Sequence, residues 1–99
     1  MKWPPAHEDA RRDFDDLVDH LHETASRTMA RRFVSEAMKA VQRARRNPMS
    51  GSPRSSGVRR KRIGRFACDL VYLPEEHDIY IVAFAHHRRE PGYWRRRLR

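Results

Sequence analysis

With 99 residues the chain has room for one domain and one modest core, because small domains bury a lower fraction of their surface than large ones, and this argues against a deep substrate cavity. Charged residues make up 35% of the sequence and apolar ones 38%, which is polar for a globular domain yet periodic enough in its apolar positions to argue against full disorder. The net charge of +9 is unevenly placed: residues 1–25 hold three Lys or Arg against seven Asp or Glu, a net −4, while the rest hold 19 against six, a net +13.

Such a field favours polyanions: nucleic acid, an anionic membrane surface or an acidic protein partner. The single cysteine, Cys68, cannot form an internal disulfide and fits a reducing cytoplasm, where it reads as a small buried hydrophobe. The opening Met1-Lys2-Trp3-Pro4-Pro5 runs into acidic residues without an apolar segment, unlike a secretory signal. The longest apolar run, Ile79 to Ala85, falls far short of the roughly 20 residues of a membrane span.

From Ala10, the residues Phe14, Leu17, Val18 and Leu21 fall at helical spacing, with Asp13, Asp15, Asp16 and Asp19 on other faces. Pro5 suits a first helical position, and Glu8 and Asp9 place negative charge at the positive end of the helix dipole. After Thr24-Ala25, Ser26 reads as the N-cap of a second helix whose stripe is Ala30, Phe33, Val34, Ala37, Met38 and Val41. Two helices so closely joined must fold back as a hairpin. Arg43, Arg45 and Arg46 load its last turn, and Asn47-Pro48 stops it.

The stretch 47–57 collects Pro, Gly and Ser and predicts a surface loop. The period then changes to two: Val58 to Ile63, Phe66 to Leu73 and Ile79 to Ala85 read as strands separated by short turns, hence an antiparallel meander. The expected fold is α+β, a helix hairpin packed on a small, mainly antiparallel sheet of three to four strands. No spacing of Cys and His suits zinc, and adjacent His86 and His87 point to opposite faces of a strand. His86 reads instead as structural or as a hydrogen-bonding neighbour of the arginines. No phosphate-binding glycine loop, Gly-x-Ser-x-Gly or His-Glu-x-x-His occurs, so neither metal nor cofactor is expected.

The order helix hairpin, basic strand, two apolar strands resembles the RelE/ParE superfamily of toxins from type II toxin–antitoxin systems. The likeness sharpens in Val82-Ala83-Phe84-Ala85-His86-His87-Arg88-Arg89-Glu90-Pro91-Gly92-Tyr93-Trp94, which is similar to the family's last strand, its basic element and the Pro-x-Tyr-Trp end of ParE-like members. Trp3-Pro4-Pro5-Ala6 resembles the first strand, Ala30-Arg31-Arg32-Phe33-Val34 the Arg-Phe signature of the second helix, and Pro48 to Pro53 the family's Pro and Gly loop. The resemblance implies one toxin domain over 1–99: a short first strand about 1–5, a hairpin about 6–46, a loop 47–57, a meander 58–86 and a basic tail 87–99.

It also implies a cytoplasmic growth inhibitor, of the kind associated with plasmid stabilization, held in a hetero-oligomer by a cognate antitoxin. Its target would be DNA gyrase or, alternatively, the ribosome and its mRNA. Contacts to target or antitoxin would involve Arg60, Arg62, Arg65, Arg88, Arg89, Tyr93 and Trp94, and an endoribonuclease would work through Arg60, Arg62, Arg88 and Tyr93. The sequence departs from the nuclease pattern where Asp69 stands in place of a catalytic arginine, since a carboxylate there would repel the scissile phosphate. That favours gyrase poisoning without catalysis. The rival outside the family is a non-toxic nucleic-acid-binding module that relies on the +13 segment alone.

Overall fold

The computed structural model describes residues 2–98, so Met1 and Arg99, the outer ends of the expected first strand and tail, lie outside the described residues. Helix α1 spans Glu8–Thr24 and α2 spans Arg27–Arg46, with only two residues between them. The Ser26 side chain caps α2 by accepting from the Met29 amide at 3.1 Å. At α1 the cap differs from expectation: the His7 ring, not a proline turn, accepts from the Asp9 amide at 3.1 Å. Pro5 lies outside the helix and gives its carbonyl to the Ile81 amide.

Four strands follow, β1 (Ser52–Pro53), β2 (Arg59–Arg62), β3 (Cys68–Pro74) and β4 (Ile79–His86), in the spatial order β1-β2-β3-β4 with every pair antiparallel. The expected loop 47–57 therefore contains an edge strand and two short 3₁₀ turns. Its shape is fixed from beneath by Tyr72, whose hydroxyl donates to the Pro48 carbonyl at 2.7 Å and accepts from the Gly51 amide at 3.0 Å. The expected first strand is reduced to one parallel bridge, Ala6 to Ile81. Two consecutive prolines leave no amide hydrogens to extend it.

The register of β3 on β4 shifts between Val71 and Tyr72, which pair with Ala83 and Ile81, so Val82 is the extra residue of a bulge. The bulge turns Val82 and Ala83 to one face of the sheet and leaves Ile81 and Phe84 on the other. The main core lies on the latter side, where Ala10, Phe14, Phe33, Ala37 and Val41 of the hairpin meet Leu70, Tyr72, Ile79, Ile81 and Phe84. A second, smaller core occupies the opposite face, where Val58, Val71, Val82, Ala83 and Ala85 are covered by Trp94 of the tail. The tail is thus part of the fold, a 3₁₀ segment Tyr93–Arg97 laid across the sheet.

Candidate functional site

The alternation of β2 sends Arg60 to the tail-covered face, beside Asp69 of β3 and His87 just after β4. Arg60 Nη2 lies 3.0 Å and Nε 3.1 Å from Asp69 Oδ2, and His87 Nε2 lies 3.1 Å from Oδ1. The carboxylate that the sequence set against the basic face is therefore saturated by it. Arg62 does not join them and clasps the following turn, donating to the Phe66 carbonyl at 3.2 Å and the Arg65 carbonyl at 3.4 Å.

Tyr93, Arg89 and Arg97 form a stack, with the Arg89 guanidinium 3.8 Å and that of Arg97 5.2 Å from the Tyr93 ring centroid. The Tyr93 hydroxyl donates toward Asp13 Oδ2 at 3.3 Å and the Phe84 carbonyl at 3.4 Å. Burial, followed by the charge of Asp13, pushes its pKa up to about 12. Trp94 is 2% exposed, and its indole N–H is buried without a hydrogen-bond partner among the described residues.

Arg88 and His86 belong to the helix side of the sheet, where both line a crevice with Leu17, Leu21, Phe33 and Phe66. His86 Nδ1 accepts from the Arg88 amide at 3.0 Å, and burial, then the charges of Arg88, His87 and His20, hold its pKa below the usual 6.5. Of the expected site residues, Arg60, Arg89, Tyr93 and Trp94 line one shallow pocket at the foot of the tail, whereas Arg62, Arg65 and Arg88 lie apart from it. Cys68 is buried in the helix-side core, its thiol pushed up to about 12 by burial and then by Asp69, which leaves it unreactive. Among the described residues no group of three His, Cys, Asp or Glu could hold a metal ion.

Sequence reasoning missed Asp13. It is 9% exposed, and its carboxylate accepts from Arg97 Nη1 at 2.7 Å and Nη2 at 3.2 Å, from the Phe84 amide at 3.2 Å and from the Tyr93 hydroxyl. The expectation that Asp13 takes another face than the apolar stripe is corrected by its burial beside Ala10 and Phe14; the signal was its position, three residues after Ala10 and four before Leu17.

A helix pair on one face of a four-stranded meander, with a basic and aromatic segment docked on the other, defines a small α+β protein of the RelE/ParE class. The chain matches the ParE toxin of type II toxin–antitoxin systems (parDE) over residues 6–91, and it belongs to that family. Its fold is similar to that of a chain described as the chromosomal ParDE toxin–antitoxin system from P. aeruginosa, with a TM-score of 0.71 and 19% identity over 87% of this chain and 96% of the other. No curated protein matches it significantly in sequence. Among the described residues no helix is long and apolar enough to cross a membrane.

Proposed function

We propose that this ParE-family toxin inhibits growth by binding DNA gyrase in the cytoplasm and is neutralised in a hetero-oligomer with its cognate antitoxin. The observation that carries the reading is the commitment of its reactive-looking groups to structural pairs. Arg60 is neutralised by Asp69, Tyr93 keeps its proton up to about 12, and Arg88 lines a different crevice from both. General acid–base cleavage of RNA needs a proton carrier poised near the working pH and next to the cations that stabilise the transition state. A phenol held so high and a guanidinium already paired favour a binding surface. In this reading the exposed guanidiniums of Arg65, Arg88 and Arg89 make the contacts.

Expression in a bacterial host is expected to arrest growth, and co-expression of the antitoxin to reverse the arrest. The purified chain is expected to inhibit DNA supercoiling by gyrase while leaving mRNA intact in a translation extract. New codon-linked mRNA ends in that extract, lost in an Arg88→Ala variant, would replace gyrase with the ribosome as target. Unimpaired growth, together with binding to any nucleic acid that weakens steeply with salt, would reduce the chain to a non-toxic nucleic-acid binder.

A further inference from the structure

The fold covers its large apolar side chains with one exception: among the described residues Met49 alone is left in water, at 62% exposure. A solitary apolar side chain on a surface is ordinary. What sets Met49 apart is the backbone beneath it. Tyr72, fully buried in the sheet, donates through its hydroxyl to the Pro48 carbonyl at 2.7 Å and accepts from the Gly51 amide at 3.0 Å, so one side chain grips the loop on both sides of Met49. Arg59 Nη1 holds the Met49 carbonyl at 3.1 Å and the Gly51 carbonyl at 2.8 Å, and Lys61 Nζ reaches the Ser50 hydroxyl at 3.2 Å. The Ser50 amide closes the turn onto the Asn47 carbonyl at 2.9 Å. Gly51 leaves no room for a side chain, since a Cβ there would stand 2.7 Å from the Tyr72 oxygen and 3.0 Å from the Arg60 carbonyl.

The charges around this loop are positive and uncommitted. Arg46 and Arg54 are exposed, one on each side of Met49 in the chain, and with Arg59 and Lys61 they form no ion pair among the described residues. The loop therefore presents a convex shape, a bare apolar side chain on a fixed backbone among cations. Fixing a contact residue in advance removes part of the ordering cost of binding, and the unbranched thioether of methionine adapts to the cavity it enters.

We infer that Met49 is an apolar anchor that enters a socket on the folded target of the toxin, with carboxylates around that socket facing Arg46 and Arg54. A knob requires a concavity, which a folded enzyme offers and an extended antitoxin segment does not. A nucleic-acid backbone would meet the cations and leave the thioether in water. The inference rests on the gyrase reading above and adds an apolar contact to the guanidiniums named there. Tyr72 is the positioning residue behind it.

The test compares inhibition of gyrase supercoiling with antitoxin affinity in the full-length chain. M49D is expected to inhibit about tenfold or more weakly while binding the purified antitoxin within about twofold of the unsubstituted chain, and M49L to inhibit normally. Because Met49 is exposed, both variants should melt like the unsubstituted chain. Tyr72→Phe keeps the buried ring and releases the loop. It should weaken inhibition with Met49 in place and add nothing further in the M49D background, a pattern that a general loss of stability would not reproduce. M49D that inhibits like the unsubstituted chain would overturn the anchor and leave the toxin reading standing; if R46E with R54E then abolished inhibition, the surface would pass to a phosphate backbone. M49D that inhibits normally but escapes the antitoxin would overturn the inference by handing Met49 to the antitoxin. An unsubstituted chain that leaves supercoiling untouched would overturn both the anchor and the gyrase reading.

Discussion

Asp13 and Arg97 are 8% and 9% exposed in their side chains and stand 84 residues apart, yet they meet at 2.7 Å. Desolvating both charges is costly, and the cost is offset because the carboxylate accepts from four donors while Arg97 Nη1 also reaches the Val82 carbonyl at 3.0 Å. Breaking such a pair strands the surviving charge. Asp13→Asn is expected to lower unfolding free energy by about 3 kcal/mol in urea titration, and adding Arg97→Met should recover part of the loss. A single variant as stable as the unsubstituted chain would show Arg97 swinging freely into water. Nothing in composition marks Asp13 among the acidic residues of α1, because its partner arrives only through tertiary folding. Phe33, by contrast, was legible: its place on the α2 stripe predicts burial, and it is 1% exposed.

The element that depends most on such contacts is β4. It ends the sheet, and an open strand edge invites pairing with other chains. Here the edge is occupied piece by piece: Pro5 and His7 bond to Ile81, Arg97 to the Val82 carbonyl, Asp13 to the Phe84 amide and Tyr93 to the Phe84 carbonyl. The far edge, β1, is only two residues long and ends in proline. Truncation after Pro91 would uncover both the β4 edge and the face lined by Val71, Val82 and Ala83. The shortened chain is expected to self-associate with rising concentration in sedimentation velocity, and a monomer at all concentrations would show that the tail does not guard the edge. The continuous run Ile79 to Ala85 carried a trace of this, since a strand buried on both faces loses alternation. Composition alone does not say what covers the second face, because arginines flanking two aromatics describe a docked segment and a free one equally well.

At the scale of the molecule, the change of period from 3.6 to two was enough to read the helix pair and the meander after it. The distribution of the cations was not, because strand alternation says which face a residue takes but not which carboxylate waits there. Asp69 and Arg60, two residues out of direct register and so diagonal neighbours on adjacent strands, cancel on a face read as basic. The folded molecule also has a defined response to acid. His86 is held neutral below its ordinary 6.5, so the unfolded chain takes up a proton there before the folded one does. Its contribution to stability is complete above about 6.5 and is lost as the pH falls toward the lowered folded value. Melting temperature is therefore expected to drop between about pH 7 and 5, and the slope to flatten in His86→Gln; parallel profiles for the two proteins would remove His86 as the source.

The span between Asp13 and Arg97 also sets an order of events during synthesis. A contact of such sequence separation forms only after the segment carrying Arg97 has left the ribosome. Until then the first helix carries a carboxylate with no counter-ion and the last strand an unsealed border. The nascent toxin consequently passes through a stage in which the hairpin has emerged but the clasp joining it to the tail has not formed.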